Sequence, residues 1–300
     1  MTNKDSNLIE PLVNSFLDAG SMVTELLFKA VSCMAFKASV NLKSEVYAEV
    51  PVFAEIPNHV AYKKVKTEDP LSFIIGINSE GKYTNVSLLK DNHLLIVGAT
   101  GQGKSNVLAC IIKALKDNNP IGSIKFIMVD FKRMDLNIMY DANYAIGSVI
   151  DDVGKLDKML SWIEGLIKLR NEEIVRSNKK NWHEFNKVAE NKIQPIIVFI
   201  DELIQVTAGN KHIQEKLYKI MALSRASGIY FICTTQDATK EALGRCKIHF
   251  PQTIGLKVAT TADSMTAIGG PELENISISG RAYLKRRAEL EEVQIMEVVD

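Results

Sequence analysis

Eight residues from Gly98 to Ser105 join a short apolar run to a stretch with helical spacing, and they read Gly-Ala-Thr-Gly-Gln-Gly-Lys-Ser. Glycine adopts backbone conformations that other residues avoid, so a turn this rich in glycine can point several backbone N–H groups at one place. The apolar run before the turn is 94–97, and apolar residues recur after it at Leu108, Ile111, Ile112 and Leu115. A strand, a turn and a helix in this order predict an α/β fold with the turn at one edge of the sheet.

The turn fits the pattern G-x-x-x-x-G-K-[ST], which is typical of a loop that binds nucleotide phosphates. In such a loop the backbone amides and the N-terminus of the following helix attract phosphate oxygens. We expect Lys104 to reach the β- and γ-phosphates of ATP and the Ser105 hydroxyl to ligate Mg²⁺. The alternative is a glycine-rich turn that binds nothing. The candidate phosphate-binding residues are Gly98, Ala99, Thr100, Gly101, Gln102, Gly103, Lys104 and Ser105.

From residue 91 onward, short apolar runs alternate with helical stretches. Uninterrupted apolar runs are typical of strands that are buried on both faces. The pattern therefore predicts an α/β fold with a mostly parallel sheet and helices on each side. The predicted strands are 94–97, 124–129, 145–150, 196–200, 229–234, 253–258, 282–284 and 293–299. The predicted helices are 106–117, 153–175 and 213–224.

The first 90 residues differ in character from the rest of the chain. Residues 1–45 have mostly helical spacing, whereas residues 46–50 alternate at the strand period. Two further strands, 72–77 and 83–88, flank the turn-forming sequence Asn-Ser-Glu-Gly and predict a hairpin. We therefore predict a helical N-terminal segment at 1–45, a small β-rich lead-in at 46–90 and the main α/β domain at 91–300.

The best candidate for a membrane helix, residues 16–40, carries four charged side chains. A charge in the middle of a spanning helix costs about 2.5 kcal/mol or more, so we predict no transmembrane span. A helix packed on its own domain is the simpler interpretation, and a helix lying on a membrane or on a partner is the alternative. The four cysteines form no Cys-x-x-Cys pair, which argues against a zinc site and favours a reducing cytosol.

Basic and acidic side chains number 36 each, and 46% of the residues are hydrophobic. This composition excludes an intrinsically disordered chain. A net charge of zero gives no support to a nucleic-acid partner, although a local basic patch would be enough to bind one. Three basic stretches are candidates, and for the first of them a solvated helix face is the alternative interpretation. The candidates are Lys168, Arg170, Arg176, Lys179, Lys180 and Lys187 with Trp182 interleaved; Lys240, Arg245 and Lys247; and Arg281, Lys285, Arg286 and Arg287.

A second chemical signal is the apolar run 196–200, which is followed directly by Asp201 and Glu202. Acids that end a strand of a parallel sheet lie at its carboxyl edge, beside a phosphate loop that follows another strand. We expect Asp201 to hold Mg²⁺ through water and Glu202 to polarise an attacking water as general base. The alternative is an acid pair that only complements the dipole of a following helix.

A third cluster surrounds the apolar run 229–234. Gln236 follows that run and is placed to sense the γ-phosphate. Arg225 precedes the run, so we expect it at the opposite edge of its own sheet. There it either completes a neighbouring subunit's site as an arginine finger or caps the preceding helix. The tripeptide Asp130-Phe131-Lys132 also follows a predicted strand, and it is either close to the nucleotide or an ordinary strand-end turn.

Together, the motifs between Pro70 and Tyr283 resemble the motor domain of the FtsK/SpoIIIE family of double-stranded DNA translocases. Two places depart from the family's pattern: Phe131 replaces a proline, and Asp237-Ala238 replace an Arg-Pro pair. The matching segments are 70–76, 92–101, 130–132, 200–203, 225–229, 235–236, 257–258 and 263–264.

The resemblance implies a RecA-like P-loop NTPase core, a ring of six subunits, double-stranded DNA threaded through that ring, and an arginine-finger role for Arg225. It also implies a compact or mobile-element-type member, and we expect neither the multi-span membrane domain nor the C-terminal winged-helix module of larger members.

Three functions are open at this point. The first is an ATP-dependent translocase of double-stranded DNA, located in the cytoplasm or peripherally on a membrane. The second is a coupling protein that uses the same motor, with its N-terminal segment bound to a secretion, conjugation or replication partner. The third is a nucleotide-dependent switch that does not translocate, which the balanced charge and the diluted basic stretches leave open.

Overall fold

The computed structural model describes residues 56–239 and 243–299. The helical segment expected at 1–45, the apolar stretch at 16–40 and the strand expected at 46–50 lie outside these ranges, and so does Lys240. Within the described ranges, none of the helices is long and apolar enough to cross a membrane.

Strands and helices alternate through most of the described chain. The strands are β1 Val60–Ala61, β2 Ser72–Asn78, β3 Tyr83–Ser87, β4 Leu94–Val97, β5 Lys125–Asp130, β6 Ile196–Asp201, β7 Ile229–Thr235, β8 Gln252–Gly255, β9 Arg281–Arg286 and β10 Glu289–Glu297. The helices are α1 Leu88–Asp91, α2 Lys104–Asn118, α3 Asp135–Ile138, α4 Val153–Arg176, α5 Trp182–Asn186, α6 Leu203–Thr207, α7 Lys211–Ser224 and α8 Thr261–Ile268, with a 3₁₀ helix at Gly244–His249.

The described strands form one sheet in the order β3-β2-β10-β9-β8-β4-β7-β6-β5, with β1 paired to β10. Strands β8, β4, β7, β6 and β5 pair in parallel. Strands β9, β10, β2 and β3 continue the sheet in antiparallel fashion. The predicted parallel core is therefore confirmed, and the predicted hairpin β2–β3 extends the same sheet because β2 pairs with β10.

Strand β4 lies in the middle of this sheet and is covered on both sides. Leu94 and Ile96 belong to the apolar core that includes the inner side of α2, whereas Leu95 and Val97 belong to the core that includes α4 and α7. Alternate residues of a strand point to opposite faces, so burial of both faces requires an unbroken apolar run. This double burial explains why the sequence of the strand lacks a polar face.

The prediction of a strand at 145–150 is wrong. Two isolated bridges, from Phe126 to Ala145 and from Val129 to Ile150, join this segment to β5. Gly147 lies between the two bridges with a φ of 73°. That left-handed conformation interrupts an extended ladder, so the segment touches β5 twice without forming a strand.

His93 precedes β4 and joins it to neighbouring elements. Its Nδ1 accepts the backbone N–H of Phe231 at 3.0 Å, and its Nε2 donates to the carbonyl oxygen of Met221 at 3.1 Å. The imidazole is buried, and burial lowers its pKa to about 4, with the charges of His249 and Arg225 acting in the same direction. The neutral ring is therefore the form that satisfies the native contacts.

We expect the free energy of unfolding to fall as the pH drops from about 6.5 to 4. An unfolded histidine titrates near 6.5, so the unfolded chain takes up this proton before the native protein does. The loss from His93 reaches about 3 kcal/mol near pH 4. Urea unfolding across this pH range measures the change in the free energy of unfolding. His93→Asn should make that free energy less dependent on pH. The control His183→Asn, at an exposed position, should keep this pH dependence. An unchanged slope in His93→Asn would contradict the assignment.

Candidate nucleotide site

The carboxyl ends of four parallel strands meet at one edge of the sheet. The glycine-rich loop follows β4, Gln236 follows β7, Asp201 ends β6 and Asp130 ends β5. Strand β7 lies between β4 and β6, and Asp130 is in register with Asp201. The fold therefore brings together the loop, the acid pair and the glutamine, three features that are separated by up to 138 residues of sequence.

The glycine-rich loop has the shape that phosphate binding needs. Gly101 and Gly103 have φ values of 77° and 95°, and a Cβ built at either position would meet no heavy atom within 4 Å beyond its chain neighbours. The open space lies at the N-terminus of α2, whose unpaired amides and dipole favour an anion. The backbone of the loop thus fits the phosphates of a nucleotide.

Lys104 lies against the inside of this loop. Its Nζ donates to the carbonyl oxygens of Gly98 at 2.6 Å and Ala99 at 3.1 Å. Burial lowers the pKa of the Lys104 ammonium, while the carboxylates of Glu202 and Asp201 act in the opposite direction. A half-buried positive charge, held against the loop, is well placed to pair with phosphate oxygens.

Ser105 and Asp201 provide oxygen atoms of the kind that Mg²⁺ prefers. The Ser105 Oγ donates to Oδ2 of Asp135 at 2.6 Å, and Oδ1 of Asp201 accepts the Thr234 hydroxyl at 2.7 Å. Asp201 is buried, and burial raises the pKa of its carboxyl, with the charges of Asp135 and Asp130 acting in the same direction. The Ser105 hydroxyl and the carboxylates of Asp135 and Asp201 offer oxygen atoms that suit a hard divalent cation, and such a cation would relieve the repulsion between the two acids.

Glu202 is held in an unusual conformation. Its backbone adopts φ 56° and ψ 73°, a left-handed conformation that costs a non-glycine residue on the order of 1 kcal/mol or more. The carboxylate accepts two hydrogen bonds from Gln236, one from the backbone N–H at 2.9 Å and one from Nε2 at 2.8 Å. Its backbone N–H donates to the Thr234 hydroxyl at 2.8 Å. These contacts fix the direction of a buried carboxylate beside the phosphate loop.

Gln236 connects this acid to the phosphate loop. Its Oε1 accepts the Thr100 hydroxyl at 2.8 Å while its Nε2 donates to Glu202. One side chain therefore contacts both the loop that faces the phosphates and the carboxylate expected to activate water. The predicted role of Gln236 as a sensor of the γ-phosphate stays a prediction. Its contacts with Thr100 and Glu202 are the connection through which such sensing would act.

Both interpretations of Asp130-Phe131-Lys132 describe part of the structure. Asp130 is buried and makes a turn, because its carboxylate accepts the backbone N–H groups of Lys132, Met134 and Leu136 at 2.9 to 3.1 Å. Lys132 belongs to the site, because its Nζ lies 3.7 Å from Oε2 of Glu202. Sequence reasoning missed Asp135, which begins the short helix α3 five residues after the end of β5. Its signal was an acid placed just beyond a strand end at the predicted catalytic edge.

Arg225 lies at the end of α7, on the side of the sheet where β7 begins, away from this chain's own phosphate loop. It is exposed, and its Nη2 donates to the carbonyl oxygens of Leu89 at 3.1 Å and Lys90 at 3.4 Å. The structure of one chain thus agrees with the expected position of Arg225 and leaves its role in a neighbouring subunit as a prediction.

The three basic stretches contribute fewer free charges than their sequences suggest. Trp182 is buried and donates from Nε1 to the Tyr230 hydroxyl at 3.0 Å, so it is not an exposed stacking surface. Arg170 donates to the carbonyl oxygens of Ser227 and Gln194. Other members are paired within the described chain: Arg245 with Glu215, Arg281 with Glu292, Arg286 with Glu291, and Lys247 with the carbonyl oxygens of Ala238 and Thr266. Lys168, Lys180 and Lys187 remain exposed, and the exposed Arg176 lies 3.7 Å from Glu172.

A model of the FtsK/SpoIIIE family matches residues 50–240, which is more than half of the chain. The chain belongs to the FtsK/SpoIIIE family. The DNA translocase FtsK of Streptomyces coelicolor is 25% identical over 230 residues, and that of Leptospira interrogans is 28% identical over 254 residues. These alignments cover 71% and 79% of this chain but only 25% and 27% of the relatives. This chain thus spans about a quarter of the length of each of these two relatives.

The comparison with solved structures agrees with this membership. The pCW3 conjugation coupling protein TcpA, in its monomer form with ATPγS, superposes with a TM-score of 0.73 at 25% identity. The match covers 82% of this chain and 72% of TcpA. The predicted fold class is confirmed: this FtsK/SpoIIIE protein has the RecA-like core of a P-loop ATPase.

Proposed function

We propose that this chain is an ATP-dependent double-stranded DNA translocase of FtsK/SpoIIIE type. One observation supports the proposal most strongly: Gln236 contacts both the phosphate loop at Thr100 and the buried carboxylate of Glu202. A nucleotide loop linked to a candidate base is what coupled hydrolysis needs. The chain also belongs to a family whose relatives include DNA translocases, and this membership supports the coupling of hydrolysis to DNA movement.

The proposed chemistry rests on positioning and charge. Lys104 neutralises the β- and γ-phosphates. Ser105 and Asp201 would hold a magnesium ion, which would lower the negative charge of the same phosphates. Glu202 takes the proton of the attacking water. Gln236 reports the γ-phosphate to Glu202, because one amide contacts both sides of the site.

The protein works as a ring of six subunits in the cytoplasm, and Arg225 completes the nucleotide site of the adjacent subunit. Its exposed guanidinium at the opposite edge of the sheet supports this role. Before the ring assembles, hydrogen bonds to the carbonyl oxygens of Leu89 and Lys90 hold the guanidinium of Arg225 in place.

Subunit mixing tests the role of Arg225. Arg225→Ala and Lys104→Ala are each expected to lower ATP turnover by about 100-fold or more, because each removes a positive charge from the site. Mixing the two variants should restore part of the activity, since some interfaces then contain both wild-type halves. The control Arg245→Ala should retain activity, because Arg245 pairs with Glu215 within its own chain. Full activity of Arg225→Ala in an assembled ring would contradict the assignment.

DNA should stimulate this ATPase. We expect linear double-stranded DNA to raise ATP turnover several-fold or more at low salt and to lose this effect at moderate salt. Binding through phosphates releases counterions and therefore weakens as salt rises. Turnover that is the same with and without DNA at both salt concentrations would favour the nucleotide-dependent switch instead.

A second candidate is a DNA-transfer coupling protein, and the likeness to TcpA favours it. It would use the same motor, with a protein partner bound through residues 1–45. A pull-down from lysate of a host that carries the corresponding transfer genes distinguishes the two candidates. Recovery of one protein by the full chain but not by a chain lacking 1–45 would support the coupling role.

A further inference from the structure

The Ser105 hydroxyl has a partner that the phosphate-loop pattern does not name. Its Oγ donates to Oδ2 of Asp135 at 2.6 Å. Asp201, the acid expected to support the metal, instead accepts the Thr234 hydroxyl at 2.7 Å. The serine and the strand-end acid are therefore held by different groups, and Asp135 is the group that contacts the serine.

The turn between β5 and α3 fixes the position of Asp135, the first residue of α3. Asp130 is buried, and its carboxylate accepts backbone N–H groups from both sides of Asp135, those of Met134 at 2.9 Å and Leu136 at 3.1 Å. Leu136 is fully buried and anchors the loop in the apolar core. The backbone that carries Asp135 is thus fixed on each side, and its carboxylate reaches the first turn of α2.

A serine hydroxyl that ligates a cation keeps its proton. Its lone pairs must face the ion, so the proton must point away from it and needs an acceptor. Groups that accept hydrogen bonds from metal ligands orient them and typically change metal affinity by about 10 to 100-fold. Asp135 already accepts this proton at 2.6 Å, and its charge also acts on nearby Asp201.

We propose that Asp135 is a positioning residue for magnesium: it accepts the proton of the Ser105 hydroxyl and so turns the oxygen of that hydroxyl toward the ion. The inference rests on the proposed nucleotide site and deepens it, because it assigns to the loop after β5 a part in metal binding. Asp135 acts through Ser105 and is not itself assigned to the phosphates.

Binding of the fluorescent nucleotide mant-ADP to the full chain, titrated with MgCl₂ or measured in EDTA, tests this inference without turnover or DNA. We expect Asp135→Ala to raise the half-saturating Mg²⁺ concentration by about 10-fold or more. Its affinity for mant-ADP in EDTA should stay within about twofold of the wild type, because Asp135 does not contact the phosphates. Asp135→Asn keeps an acceptor oxygen but loses the charge. Its half-saturating Mg²⁺ concentration should therefore lie between those of the wild type and Asp135→Ala.

Two further variants separate positioning from loop folding. Asn137→Ala, at an exposed position on the same short helix, should leave the Mg²⁺ requirement unchanged. Ser105→Ala combined with Asp135→Ala should require little more Mg²⁺ than Ser105→Ala alone, because residues that act through one contact are not additive. A purely structural role would instead lower mant-ADP affinity in EDTA as well.

The outcomes distinguish this inference from the proposed function. Three results would overturn the role of Asp135 while leaving the nucleotide site in place. They are an unchanged Mg²⁺ requirement in Asp135→Ala, fully additive effects of Asp135→Ala and Ser105→Ala, and wild-type binding of mant-ADP that does not depend on Mg²⁺. Failure of the wild type to bind mant-ADP at all would contradict the proposed function instead.

Discussion

Glu202→Gln should lower ATP turnover by at least about 100-fold while ATP binding persists. A positioned general base contributes about 10² to 10⁴-fold to a rate, and the amide of glutamine cannot take a proton from water. The replacement has the same shape and keeps an oxygen that can accept the backbone N–H of Gln236, which Glu202 now accepts at 2.9 Å. Its new amide group faces Nε2 of Gln236, which Glu202 now accepts at 2.8 Å, so this second hydrogen bond is lost unless the Gln236 amide turns over. Retained ATP binding therefore shows that the lost activity is chemical and not structural.

Phosphate release and equilibrium binding of ATP, measured on the same preparation, check this result. Glu164→Gln is a matched control, because Glu164 is an exposed residue of α4 away from the phosphate loop. It should hydrolyse ATP at the wild-type rate. Turnover by Glu202→Gln within about threefold of the wild type would remove Glu202 from the role of base.

Lys104→Ala should weaken ATP binding by about 30-fold or more, and turnover should fall with it. A hydrogen bond to a charged group contributes about 1.5 to 3 kcal/mol, and Lys104 is expected to make such bonds to the β- and γ-phosphates. The ammonium also bonds the carbonyl oxygens of Gly98 and Ala99. Its removal should therefore loosen the loop as well as delete the charge.

Titration with mant-ATP measures the affinity of this variant, and thermal unfolding shows whether the fold is retained. Lys113→Ala is the matched control, since Lys113 is an exposed lysine on the same helix. Its Nζ lies 5.3 Å from the centre of the Tyr62 ring and not at the loop. Equal nucleotide affinity in Lys104→Ala and Lys113→Ala would refute the phosphate-binding role.

The parallel core was predictable because each of its strands is buried on both faces. Runs such as Ile196 to Ile200 have no polar position, and such runs are typical of strands between two layers of helices. The segment 145–150 reads Ala-Ile-Gly-Ser-Val-Ile, and Gly147 adopts a left-handed conformation that interrupts the ladder with β5. The pairing of β10 with β2 joins residues more than 200 positions apart, and it follows from tertiary packing.

The catalytic edge was predictable where a residue is tied to a strand end. Asp201, Glu202 and Gln236 follow apolar runs directly, so parallel topology is sufficient to bring them together. Asp135 lies five residues beyond its strand and reaches Ser105 only because Asp130 holds the intervening loop. Trp182 was misleading because its neighbours are basic, while the indole itself packs inside the core.

Displacement of a triplex-forming oligonucleotide from linear double-stranded DNA tests most directly whether this protein moves along DNA. We expect the wild type to release the oligonucleotide in the presence of ATP and Mg²⁺, and to release none with ATPγS. Glu202→Gln should bind the same DNA without displacing it. DNA-stimulated hydrolysis by the wild type, in an assembled ring and without any displacement, would contradict translocation.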